Sequence, residues 1–118
     1  MSTCPRVELK IAKAFSKAPG PRFTAEGDFS GEEFRKTVLE PAFRKAVDGQ
    51  YILHVDMDGA AGYGTSFLEE SFGGLIREHG FTLAVVRAHL LVKSDDEPEW
   101  LDEIEEYLTK AEQERVAK

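Results

Sequence analysis

Hydrophobic and polar positions change their period several times along this chain, and each change predicts an element. In residues 7–15 (VELKIAKAF), Val7, Leu9 and Ile11 alternate with Glu8, Lys10 and Ala12, the period of a half-exposed strand. Pro19-Gly20-Pro21 then stops regular structure. Residues 22–26 read as a short edge strand, and Gly27-Asp28-Phe29 as a turn. Ser30 opens a helix: its hydroxyl can accept from the Glu33 amide while Glu33 reaches back, a capping box. Phe34 and Val38 lie on one line of that helix, and Leu39, Phe43 and Val47 on another, offset by one residue. Pro41 stands at the shift. Proline removes a helix hydrogen bond and clashes with the carbonyl four residues back, so a kink or restart is expected there.

Residues 51–55 (YILHV) are apolar on both faces, which predicts a central strand covered by helices on two sides. A glycine-rich loop follows, from Gly59 to Gly64. Ser66 offers a second capping box with Glu69. Leu68, Phe72, Leu75 and His79 continue at helical spacing, with Phe67 and Ile76 beside them, and Gly80 suits the left-handed position that ends helices. Residues 81–93 (FTLAVVRAHLLVK) fit either one long strand or a helical turn followed by a strand at 89–93. Pro98 suits a first helical turn. Trp100, Leu101, Ile104, Tyr107, Leu108 and Ala111 then form the apolar stripe of an amphipathic helix, with Asp102, Glu103, Glu105, Glu106 and Glu112 on its solvated side. Strands alternating with helices imply an α/β fold.

The 118 residues make one domain the natural reading, residues 1–118. A chain of this size buries roughly two-thirds of its unfolded surface, enough for a core without metal or disulfides. Acidic residues outnumber basic ones by 22 to 15, a formal charge of −7. Arg35, Lys36, Arg44 and Lys45 are interleaved with Glu32, Glu33 and Glu40, so no basic stripe exists for a phosphate backbone or an anionic membrane. Cys4 is the only cysteine. It rules out an internal disulfide and points to a reducing compartment, the cytoplasm, and its place near a terminus makes it an unpromising nucleophile. Residues 1–13 lack the apolar stretch of a secretory signal, and no run approaches the ~20 apolar residues of a membrane span. His54, His79 and His89 lack ligand spacing and belong to no recognisable triad. No catalytic residue, metal ligand or cofactor is assigned. Gly73-Gly74 inside a helix costs about 1 kcal/mol per residue relative to alanine, which implies close approach of a neighbouring backbone.

Ligands of α/β sheets bind beyond the carboxyl ends of the strands, where the loop after Asp56 lies. Three chemistries compete for it. Gly59 to Ser66 has the spacing of a phosphate-binding loop, but Thr65 occupies the lysine position and Phe67 the third glycine of a dinucleotide fingerprint. YILHVDMDG (51–59) resembles the first motif of haloacid dehalogenase-type phosphatases, which implies Asp56 as nucleophile, Asp58 as acid/base and an oxygen-bound Mg²⁺, with Lys93, Asp95 and Asp96 imitating later motifs. That family begins on this strand, whereas about 50 residues precede it here. In the third chemistry, Thr65 and Ser66 stand where helix amides are unpaired and the dipole is positive. A phosphate there adds about −1.5 to −2 charge opposite Glu69, Glu70 and Asp58, enough to reverse docking of a partner.

PGPRFTAEGDFSGEEFR (19–35) and VDMDGAAGYGTSFLEESFGGLIREHGF (55–81) resemble the STAS-like domain family of unknown function, most specifically in SFLEESFGGL. That family is related in outline to STAS domains (sulfate transporter and anti-sigma factor antagonist). The resemblance implies an α/β fold with a small mixed β-sheet flanked by about three helices, and a strand at 89–93 preceded by a helical turn at 81–87. In the antagonist group a serine at the start of the helix after a central strand is phosphorylated by a histidine-kinase-like ATPase. The matching position is Thr65 or Ser66, with Gly64 where that pattern has Asp and Phe67 where it has Gly. The expected function is therefore a regulatory protein-binding module. Its contact surface would be drawn from Asp56, Asp58, Gly62, Tyr63, Gly64, Phe67, Glu69 and Glu70. The alternative is a small Mg²⁺-dependent phosphoryl-transfer enzyme or nucleotide binder using Asp56, Asp58 and the glycine loop.

Overall fold

The apolar alternation of the strands serves one face of the sheet. The computed structural model describes residues 6–117; Cys4 lies outside them. Three strands, β1 (Arg6–Lys10), β2 (Ile52–Asp56) and β3 (Leu90–Lys93), pair in that order. Both pairings are parallel, with Leu9, Val55 and Val92 in register. Leu53 and Val55 are fully buried, while Ile52, His54 and Asp56 on the other face are only partly covered. Topology accounts for the difference. The strand order never reverses, so two crossovers of the usual right hand fall on the same face. The expected cover on two sides of β2 is corrected to one side, and the expected mixed sheet is parallel throughout among the described residues.

The strand at the start of the chain is shorter than its alternation predicts. Ile11 and Ala12 are both buried, which a strand with alternating faces cannot achieve, and Ile11–Ala14 turns into a short helix, α1. Residues 22–26 form no edge strand; Thr24–Glu26 is a 3₁₀ turn, closed by Glu26 Oε1 accepting from the Phe23 amide at 3.0 Å.

Helix α2 covers residues 31–49 without a break. Ser30 Oγ accepts from the Glu33 amide at 2.9 Å, but Glu33 returns to the Phe29 amide, not to Ser30. Pro41 is accommodated by a π turn just before it, Arg35–Leu39, in which the Glu40 amide reaches the Arg35 carbonyl five residues back. A π turn holds one extra residue, which explains the one-residue offset between the two apolar lines. Phe34, Leu39, Phe43 and Ala46 are all fully buried.

Helix α3 covers residues 65–77 and repeats the device with a π turn at Glu69–Gly73. Gly80, at φ +77°, closes it by donating to the Ile76 carbonyl at 3.1 Å. The ambiguous segment resolves into α4 (Leu83–His89), capped by Thr82, followed directly by β3. Helix α5 (Glu99–Ala117) lays Ile104, Leu108 and Ala111 into the core. Among the described residues no helix is long and apolar enough to cross a membrane.

Candidate functional site

The loop after β2 is held at several points before it delivers the start of α3. The Gly59 amide donates to Asp96 Oδ2 at 3.2 Å, and the Ala61 amide to the Lys17 carbonyl at 2.7 Å. Tyr63 is buried; its hydroxyl donates to the Met57 carbonyl at 2.9 Å and its ring stands edge-on to Trp100. Burial first, then the charges of Asp56 and Asp58, push the Tyr63 phenol well above its usual pKa, so it remains a donor. Gly64 is the cap residue and α3 begins at Thr65. The capping box expected at Ser66 is therefore absent. Its Glu69 is instead bound to Arg22 and Arg77. Thr65 and Gly64 are exposed, and Ser66 and Gly62 half-buried.

The two aspartates lie beside this loop and act as a clasp. Asp56 Oδ2 accepts from Lys10 Nζ at 3.1 Å, and Asp56 Oδ1 from the Asp58 amide at 2.9 Å, an Asx turn. Asp58 Oδ1 accepts the amides of Asp95 and Asp96, each at 2.9 Å, while Oδ2 takes Lys93 Nζ at 2.9 Å. These contacts tie the loop after β2 to the loop after β3. Lys93, Asp95 and Asp96, which imitate later phosphatase motifs in the sequence, thus do lie beside Asp56 and Asp58 in space. However, the carboxylate oxygens are engaged by backbone and lysine, in the manner of a structural joint. Among the described residues no three His, Cys, Asp or Glu side chains are grouped to hold a metal ion.

A third cluster has no counterpart in the sequence reading. Arg35 is 3% exposed; its Nη1 donates to Glu70 Oε2 at 2.5 Å and to the Glu70 carbonyl at 2.9 Å. Glu70 Oε1 lies 3.4 Å from Arg77 Nη2 and 3.6 Å from Arg22 Nη1. Arg22 Nη1 also meets Glu69 Oε1 at 2.5 Å, and Arg77 holds the other Glu69 oxygen. Burial raises the pKa of Glu69, but hydrogen bonds from Arg77 and Arg22 outweigh it and keep the carboxylate ionised. The π turns of α2 and α3 carry Arg35 and Glu70 respectively. The helical glycines explain the fit: a Cβ on Gly74 would lie 2.7 Å from the Arg35 side chain. The close neighbour inferred from Gly73-Gly74 is thus a buried guanidinium, not a backbone. That mid-helix glycine beside an arginine-bearing helix was the one signal available.

Of the residues expected to form a contact surface, Gly64 is exposed, and Gly62, Asp56, Asp58 and Glu69 are half-buried. Tyr63, Phe67 and Glu70 are buried, at 9%, 0% and 5% exposure, and support the surface from beneath instead of lining it. The parallel three-stranded sheet, its one-sided helical cover and the glycine-led helix after β2 define a small α/β domain of STAS-like kind. Residues 30–100 match the family of STAS-like domains of unknown function, and the chain belongs to that family. No curated protein and no solved structure matches it.

Proposed function

We propose that this domain is a regulatory protein-binding module whose docking surface is the exposed start of α3, and that a charge change at Thr65 or Ser66 controls docking. One observation carries the reading: the two hydroxyls are the first residues of a helix whose entry loop is fixed by Gly59, Ala61 and Tyr63. A partner therefore meets a rigid platform, and affinity is not spent on ordering a loop. Membership of the STAS-like family supports a protein partner, and the resemblance to the antagonist group favours a histidine-kinase-like ATPase in the cytoplasm. The reading assigns no catalytic step, metal or cofactor. The engaged oxygens of Asp56 and Asp58 favour it over Mg²⁺-dependent phosphoryl transfer.

The test begins with a photo-crosslinking residue at position 62 to trap the partner in the native cell, followed by binding titrations with the purified pair. Ser66→Asp and Thr65→Glu are expected to weaken binding at least about tenfold, a difference of about 1.4 kcal/mol. Their unfolding midpoints should stay close to wild type. Equal affinity for wild type and both variants would remove the reading.

A further inference from the structure

Among the described residues the sheet has two open edges, and they differ in chemistry. The order β1-β2-β3 leaves β1 and β3 outermost. On the outer face β1 carries Glu8 and Lys10, charges of the kind that keep an edge from pairing. Strand β3 reads Leu90-Leu91-Val92 before its first charge, Lys93, and Leu91 is 54% exposed. Beside it lies a groove of about 190 Å³, lined in part by Val86 of α4 and by Leu101, Ile104 and Leu108 of α5. Arg87 and Glu105 also line it, paired with each other and each more than half exposed. The backbone of this edge is open at one residue. The Met57 amide donates to the Lys93 carbonyl at 2.9 Å, so Lys93, and by alternation Leu91, turn their peptide groups towards β2. Leu90 and Val92 therefore face away from β2. The Leu90 amide donates to the Val86 carbonyl of α4. Of the strand residues, Val92 alone presents both a donor and an acceptor at the free edge.

We infer that β3 pairs antiparallel with β3 of a second copy of this chain, about a twofold axis at Val92. The backbone sets the register, because the two Val92 residues exchange both N–H···O bonds only when they stand directly opposite each other. The three-stranded sheet becomes six-stranded. A twofold contact closes on itself, so no free β3 edge is left to recruit a third copy. This register sets Leu91 opposite Lys93 of the second copy, whose aliphatic stem covers it. Charge favours a second copy as the occupant. A chain of formal charge −7 is repelled by its own copy at long range. This patch offsets that repulsion, with Arg87 and Lys93 against one carboxylate, Glu105. A twofold contact presents the same patch from both sides, so Arg87 and Glu105 of one copy can pair crosswise with Glu105 and Arg87 of the other. None of these residues belongs to the docking surface proposed above, and the pairing is independent of it.

Sedimentation velocity on the full chain across micromolar concentrations is expected to show a monomer–dimer equilibrium with no larger species. Arg87→Glu and Glu105→Arg change exposed residues and should fold normally, which circular dichroism checks. Each variant alone sets like charges against each other across the axis and should weaken dimerisation at least about tenfold. Mixed one to one, the two variants restore opposite charges in both crosswise pairs and should form a heterodimer about as tight as the wild-type dimer. An ion pair confined to one protomer would give no such rescue. In the wild-type chain the Val92 amide should exchange with deuterium more slowly as concentration rises through the dimerisation range, which checks the backbone pairing without any substitution. A monomer at every concentration, an open-ended series of oligomers, a mixture no more dimeric than either variant alone, or a Val92 amide exchanging at one rate in monomer and dimer would overturn the pairing.

Discussion

Asp58 shows how one side chain can fix a loop. Its carboxylate accepts from two successive amides and a lysine. The Asp96 amide, then Lys93 and the Asp95 amide, lower its pKa from 3.8 to about 2, against the opposing effect of burial. A group whose folded pKa is depressed stabilises the fold above its unfolded pKa and loses that contribution as pH falls through its folded one. The contribution of Asp58 is therefore complete above about pH 4 and disappears towards pH 2. Asp58→Asn is expected to lower the urea-unfolding free energy at pH 6 by about 1–2 kcal/mol, the scale of hydrogen bonds to a charged acceptor. The deficit should shrink steadily between pH 4 and pH 2. A deficit of the same size at both ends would assign the loss to packing instead of charge.

At the scale of elements, α2 and α3 are locked together by a buried ion pair with glycines making room for it. Gly31 comes so near α3 that a Cβ there would lie 2.7 Å from the Phe67 carbonyl, and Gly74 leaves space for the Arg35 stem. The pair is a matter of specificity more than of stability, because desolvating two charges offsets most of their attraction. Removing one partner is different. Glu70→Ala leaves Arg35 buried without its carboxylate and should cost about 3–5 kcal/mol in chemical denaturation. The double change Arg35→Met with Glu70→Leu should recover most of that loss. If the double variant is as unstable as Glu70→Ala, the cluster holds the helices by geometry that aliphatic packing cannot replace.

The whole molecule extends beyond the stretch that carries its family membership. Residues 30–100 omit β1 and nearly all of α5. Without β1 the central strand becomes an edge. The core also loses Leu9, Ile11, Ile104, Leu108 and Ala111. A fragment of residues 30–100 should therefore show no cooperative thermal transition by near-ultraviolet circular dichroism, while the full chain shows one. A sharp transition in the fragment would mean that the two ends add little to folding. The same scale explains the open sheet face with Ile52, His54 and Leu91, since a 1-2-3 strand order sends both crossovers to the opposite side.

The sequence by itself determined the helices with sustained apolar stripes, the end of α3 at Gly80, the position of β2 and the hydroxyl pair that opens a helix after a glycine loop. These depend on local periodicity and on backbone preferences within a few residues, which the chain states directly; that Thr65 is exposed and Ser66 half-buried was decided by packing. It misjudged β1, the edge strand at 22–26 and the two-sided cover of β2, because strand length and sheet cover depend on what packs against a segment from far away. The apolar offset around Pro41 was legible, but its cause, an extra residue taken up in a π turn, required the helix to be seen in place. Only the tertiary structure brought Arg22 and Arg77 to Glu69, and Arg35 to Glu70. Those charges meet across separations of up to 47 residues, and no local rule pairs them.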